Sequence, residues 1–229
     1  MKGFVAENSF WELFPQAAVG VVVVKGMKPA AQIPQEDVDA IAALLDRANI
    51  DAERHLTSDT ISENAPVKAW REAYRLFKTK KGARCSIENL LKRVLKGKPV
   101  GHITPAVDIY NTVSLTYALP VGGEDLHAIE GDLCLKVTDG GDAFLPLGEE
   151  TDDPTLPGEL ATSMMRAPYA AAGTGAMAFA RRCPTIRPMH SWRLSAWSPS
   201  GWGIARLPLI VSPSCSSAIW ERRLSLKRL

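Results

Sequence analysis

The sequence predicts an α+β fold, a mixed or antiparallel sheet flanked by helices, followed by an irregular C-terminal tail. Three observations carry that prediction. The run Val19-Gly20-Val21-Val22-Val23-Val24 is β-branched and continuous, the pattern of a strand buried on both faces. Segments 35–48, 67–77 and 86–95 repeat apolar residues at helical spacing. Leu133-Cys134-Leu135-Lys136-Val137 is apolar enough for a second strand, and Asp139-Gly140-Gly141-Asp142 after it is a hairpin-type turn.

In chain order, Phe10 to Phe14 is a short aromatic lead-in to the first strand. Gly26 to Pro34 reads as connecting loop. In the helix predicted over Gln35 to Ala48, Val38, Ile41, Ala42 and Leu45 share one face, and Glu36, Asp37, Asp39 and Asp46 the other. Acids in the first turn complement the helix dipole. Asn49 to Pro66 is polar and reads as loop. Val67, Trp70, Tyr74 and Phe77 form the stripe of the next helix, with Lys68, Arg71 and Arg75 pointing elsewhere. Ser86 is placed to cap a third helix. Ile87, Leu90, Leu91, Val94 and Leu95 form its apolar side, Lys92, Arg93 and Lys96 its basic side, and Gly97 its stop.

The stretch from Thr104 to Asp125, TPAVDIYNTVSLTYALPVGGED, is the centre of the chain. Thr104 can cap a helix and Pro105 can take its first position. Val107, Tyr110, Val113 and Tyr117 form the apolar stripe, with Asp108, Asn111 and Thr112 between them. Leu119-Pro120 stops the helix, and Gly122-Gly123 is expected to turn and deliver Glu124 and Asp125. Polar groups in a buried helix, followed by a glycine corner with two acids, mark Asp108, Asn111, Thr112, Glu124 and Asp125 as candidate pocket residues. Asp108 and Asn111 lie three apart and share a helix side. They either bind a ligand's polar groups or brace neighbouring loops. Glu124 and Asp125 either polarise a water or hold the corner. Past this point, Ala143 to Leu147 is expected to pair with the strand at 133–137, with Pro146 marking an edge. Gly148 to Gly158 is an acidic loop, and Gly158-Glu159-Leu160 begins a further strand.

Charge divides the chain. Residues 162–229 hold ten basic residues and one acid, Glu221, which leaves 17 basic and 24 acidic residues before position 162. The net +2 therefore hides a body of −7 and a tail of +9. Within the body, Lys78, Lys80, Lys81, Arg84, Lys92, Arg93, Lys96 and Lys98 form a basic run broken by one acid, Glu88. A basic loop and helix face of this kind either tracks a phosphate backbone or is a solvated surface.

Other chemistry finds no signature. The four cysteines, at 85, 134, 183 and 215, form no C-x-x-C pair and are expected to be reduced thiols, with no metal site. No G-x-S-x-G, phosphate-cradling glycine loop or metal box occurs, so no catalytic residue is assigned and no cofactor is expected. His102 and His127 lie near the central stretch and His55 in the polar loop. Neither His102 nor His127 has a sequence neighbour that completes a nucleophile–base pair, so surface or packing roles are expected. The longest apolar run is too short to span a bilayer, and no signal-peptide pattern opens the chain. A cytoplasmic protein without a membrane partner is expected; the oligomeric state is left open.

The central stretch resembles the N-P-V-V-D-V-T-N-Y-V…G-x-P-h-x-h-x-D pattern of the B3/B4 domain in the β-subunit of bacterial phenylalanyl-tRNA synthetase. Pro105, Val107, Asp108, Asn111, Val113, Pro120 and Asp125 carry the match, and the resemblance runs from about Glu12 to Leu160. The pattern departs after Leu119, where Val121-Gly122-Gly123 replaces an apolar-His-Ala-Phe run and His127 comes late. The resemblance implies a B3/B4-like fold, a tRNA partner, and hydrolysis of a mischarged aminoacyl-tRNA as the activity if the chain is an enzyme. It also implies a pocket for an amino-acid moiety. A complete synthetase is excluded, since 229 residues leave no room for an aminoacylation module. The alternative is a noncatalytic module for a small amino-acid-like ligand.

Two units are therefore expected: a B3/B4-like domain at 1–160, incomplete at its C-terminal end, and a basic Trp/Pro/Ser-rich tail at 161–229. The tail offers neither a sustained period nor a closing helix. Shifting the reading frame restores both. Met164-Met165, ATG ATG, becomes Asp-Asp, and each Trp codon forces Leu, Met or Val. From Met189 the shifted frame gives NAFLAIECV, a strand pattern, and later a helix with apolar periodicity. A frameshift near Ala161 is thus expected, leaving an exposed sheet edge; the alternative is a natural basic tail.

Overall fold

The computed structural model describes residues 3–144, 150–164, 170–172 and 191–198, with backbone alone for Met164 and the last two segments. It is an α+β fold. Short 3-10 turns aside, twelve elements among the described residues follow in order: β1 (Phe4–Ala6), α1 (Asn8–Leu13), β2 (Ala18–Lys25), α2 (Gln35–Asp51), α3 (Ala65–Ala73), α4 (Ser86–Leu95), α5 (Pro105–Tyr117), β3 (Val121–Asp125), β4 (Leu133–Val137), β5 (Leu160–Met164), β6 (Ala170–Ala172) and β7 (Ser191–Ser198).

The helices form where the apolar period lies. α5 starts as its residues dictate: Thr104 Oγ1 accepts from the Val107 N–H at 3.3 Å, and Pro105 takes the first helical position. It ends at Ala118, whose φ of 52° makes the left-handed turn a helix terminus needs. α4 starts differently from expectation. Ser86 is its first residue rather than its cap, and Cys85 occupies the cap without a side-chain hydrogen bond. α3 stops at Ala73, short of Phe77.

The core is a helix-to-sheet interior. Phe10, Leu45, Val67, Ile87, Leu91, Leu115 and Leu160 are wholly buried within it, drawn from α1, α2, α3, α4, α5 and β5. Burying a side chain of this kind contributes roughly 1.5–3 kcal/mol. α2 packs along α5, so the central helix is enclosed by its longest neighbour.

One sheet runs β1-β4-β5-β6. β1 is parallel to β4, with Phe4 opposite Leu133, and β5 is antiparallel to β4, with Leu135 opposite Thr162. β4 therefore lies between β1 and β5, not beside the segment 143–147 as its sequence implied; residues 145–147 lie outside the described residues. The turn after β4 is built around Gly140, at φ +89°, where an added Cβ would meet Pro157 at 2.6 Å.

A second sheet runs β2-β7-β3, antiparallel throughout. Two expectations change here. Gly122-Gly123 is not a corner but the interior of β3, paired with Ser195 and Leu194 of β7. β2 is half-buried along its length rather than enclosed on both faces. Strand pairing also continues beyond residue 160, through β5, β6 and β7. The remainder of the tail, including the positions assigned to a shifted-frame helix, lies outside the described residues.

Candidate functional site

α4 is a short helix with one apolar face. Ile87 and Leu91 are buried, while Lys92 and Arg93 are exposed in its last turn and Lys96 and Lys98 follow in the exposed exit. Cations at a helix C-terminus are favoured by its dipole, which explains their tolerance there. Lys81 and Arg84 are exposed in the loop before it. Arg93 donates from Nη2 to the Pro99 carbonyl at 3.3 Å, which steadies the exit.

The other two basic residues of the run stand apart. Lys78 is exposed, and its N–H donates to the Gly158 carbonyl at 2.9 Å. Lys80 turns toward the acidic loop, 2.8 Å from Asp153, with its ammonium 5.6 Å from the Phe144 ring centre. Its charge is matched locally, so its share in any surface field is small. Six of the eight sequence candidates thus lie along one exposed stretch, from the loop through the exit of α4.

Glu88, the single acid of the run, is 3% exposed. It accepts two bonds from Arg71, at 3.0 and 2.7 Å, and lies 3.4 Å from Arg84. The bidentate pair joins α3 to α4 and raises the Arg71 pKa, chiefly through the hydrogen bond to Glu88.

The candidate pocket residues are divided by their partners. Asp108 is 4% exposed and accepts from the Ile103 N–H at 3.0 Å, while His102 Nδ1 lies 3.1 Å from its other oxygen. His102 Nε2 lies 3.4 Å from Asp46 on α2. A single imidazole therefore bridges two carboxylates at the start of α5, and 45% of its side chain faces solvent. The Asp108 contact holds one ring nitrogen, and the Asp46 carboxylate faces the other. Sequence reasoning missed this pairing because His102 precedes the helix; the signal was an acid in the first turn, close behind a histidine.

The segment carrying His102 is held from behind. Asn49 on α2 is buried, accepts from the Val100 N–H at 2.7 Å, and donates to the Val100 and Leu45 carbonyls at 3.0 Å. Thr112 turns inward, donating to the Asp108 carbonyl at 2.7 Å, a bracing contact within the helix. Asn111 is buried beside it.

Glu124 and Asp125 reach the site along β3 rather than from a glycine corner. Asp125 accepts from the His127 N–H at 2.8 Å and so holds the following turn. Glu124 and Asp108 both bear on Tyr110. Burial first, then those two charges, push its hydroxyl up to about 12. Tyr110 therefore stays protonated and remains a hydrogen-bond donor at neutral pH.

Both groups of candidates lie in one stretch of chain. A family model for the B3/4 domain matches residues 69–176, from within α3 to just past β6. This stretch of the chain is similar to the B3/4 domain. This domain family is found in the β-subunit of phenylalanyl-tRNA synthetase. No curated protein matches the sequence. The matched stretch contains α4 with its basic exit and α5 with its His102–Asp108 pair; Asp46 and Asn49 come from outside it. Among the described residues, no helix of the chain is long and apolar enough to cross a membrane.

His55 closes the far end of α5, 3.2 Å from the Thr116 carbonyl. Burial lowers its pKa below 6.5, outweighing that hydrogen bond, and the charge of Arg54 adds to the lowering. The unfolded chain then binds the proton more readily than the folded one. Stability is expected to be full above pH ~6.5 and to decline as pH falls through the lower folded value. Melting temperatures at pH 7.5 and 5.5 check this; His55→Gln should show the smaller difference between them.

Proposed function

We propose that this chain is an RNA-binding protein that engages tRNA through the exposed basic stretch of its B3/4 domain. The observation that carries this reading is the alignment of Lys81, Arg84, Lys92, Arg93, Lys96 and Lys98 along one loop and helix exit. Apart from Arg84, which lies beside Glu88, none of these six has an ion pair to an acid among the described residues. Each is therefore available to a phosphate and releases counterions on contact. The occurrence of the domain family in the phenylalanyl-tRNA synthetase β-subunit supports tRNA over other nucleic acids.

Replacing Lys81, Lys92, Arg93 and Lys96 together by glutamine is expected to weaken tRNA binding on the order of 100-fold at low salt. The slope of log affinity against log salt should also fall by about 3. Filter binding or fluorescence anisotropy checks both. Wild-type affinity in the quadruple variant would refute the interface.

The finer form of this reading is hydrolysis of a mischarged aminoacyl-tRNA. His102 supports it: Asp108 and Asp46 flank the imidazole, and 45% of its side chain is open to solvent, which makes it the candidate proton-transfer group of the site. Deacylation of tyrosyl-tRNA(Phe) that is lost in His102→Gln, with tRNA binding kept, is the expected result. The alternative is a noncatalytic site for an amino-acid-like ligand at Asp108, Asn111, Thr112, Glu124 and Asp125. Thermal stabilisation by amino acids with no tRNA binding would favour that alternative.

A further inference from the structure

Beside the basic stretch, α3 and the loop leading into α4 enclose a cleft of about 230 Å³. Arg71, Arg75 and Arg84 line it together with Trp70, Tyr74 and Glu88. Three guanidiniums face one carboxylate, so the cleft carries a surplus of positive charge. Glu88 sits 3% exposed and fixes Arg71 through two bonds and Arg84 through one close contact. This arrangement orients the two guanidiniums without exhausting them. Arg71 spends two of its five N–H donors on Glu88. Arg75 is exposed and has no ion pair among the described residues.

Size narrows the ligand. Pockets for organic ligands usually span roughly 300–1,000 Å³, so this cleft suits one small anionic group better than a nucleotide. Planar guanidinium forks match the oxygens of a phosphate bidentately.

We propose that this cleft is a phosphate-binding notch that takes one backbone phosphodiester of RNA, gripped by Arg71, Arg75 and Arg84. The proposal rests on the RNA reading above and adds a specific seat to it. A free phosphate monoester offers the same oxyanion. The phosphodiester is favoured because Arg84 belongs both to the cleft and to the exposed basic stretch, so a strand bound along α4 continues into the notch.

The test spares Arg71, whose removal would strand Glu88, and uses Arg75→Gln and Arg75→Gln/Arg84→Gln in the full chain. Binding of tRNA is measured across salt, and thermal stabilisation by inorganic phosphate in parallel. The double variant is expected to lose about 0.7–1.8 from the salt slope, the value for one or two contacts, with a tenfold or greater loss of affinity at low salt. The single variant, at an exposed residue, should show part of that loss with an unchanged melt. Unchanged tRNA affinity and slope in both variants would overturn the notch while leaving the α4 interface standing. Phosphate stabilisation lost in the variants while tRNA binding is unaffected would overturn the RNA source and assign a free phosphate. Absence of tRNA binding by the wild type would overturn both readings.

Discussion

Replacing Asn64 by alanine is expected to destabilise the fold by about 3–4 kcal/mol, among the largest effects of any single substitution. Asn64 is 0% exposed. Its Oδ1 accepts from the Thr57 and Ser58 N–H groups at 2.7 and 3.0 Å. Its Nδ2 lies 3.0, 3.2 and 3.3 Å from the carbonyls of Ser58, Thr60 and Ile61. One side chain therefore satisfies the backbone of the whole loop before α3. Alanine leaves those groups unpaired, and each buried loss costs roughly 1–3 kcal/mol, reduced where water enters. In a chain of this length the melting temperature should fall by roughly 6–16 °C. Asn64→Asp keeps the acceptor but sets a carboxylate against three carbonyls, so it should not restore stability.

Leu91→Ala is expected to cost about 3 kcal/mol and to weaken tRNA binding with it. Leu91 is wholly buried on the inner face of α4. α4 spans ten residues, and a helix that short is marginal in water without its packed face. Loosening Leu91 and Ile87 from the core frees the turn that presents Lys92 and Arg93. Lys92→Gln provides the contrast, since an exposed charge contributes little to stability. It should lower tRNA affinity with no change in the melt. Parallel melts and binding isotherms separate the two effects. Equal affinity in Leu91→Ala and wild type, under conditions where both are folded, would show that α4 does not present the interface.

What could be read in advance follows from the range of the interactions involved. α4 and α5 were legible because their apolar periods, Thr104 and Pro105 act within a few residues. The basic run was legible for the same reason. The first sheet was only partly so. β1 is three residues long and pairs with β4 across more than 120 positions, and nothing local in Phe4-Val5-Ala6 records that partner. β3 misled because Gly122-Gly123 carries turn chemistry, and its strand state depends on β7, some 70 residues later. β7 itself alternates Trp192, Leu194 and Ala196 with Ser191, Arg193 and Ser195, a short strand signal set in a tail without sustained period. Its span, Ser191–Ser198, overlaps the positions where the shifted frame reads NAFLAIECV, and gene sequencing through Ala161 is the check on that hypothesis.

The site was legible as residue types and not as geometry. Asp108 and Asn111 were visible in a buried helix, but the partner of Asp108, His102, sits across the helix start and is itself positioned by Asn49, 53 residues earlier. The Arg71–Glu88 pair spans 17 residues and two helices, so neither residue announces the other. Lys80 shows the converse. It looked equivalent to Lys81 in sequence, yet Asp153 draws it out of the basic stretch.

The most direct measurement is the affinity of the full wild-type chain for tRNA across a salt series. The account predicts a linear log–log fall with a slope of roughly −4 to −5, the value for about six phosphate contacts. Binding that is absent, or indifferent to salt, would contradict it.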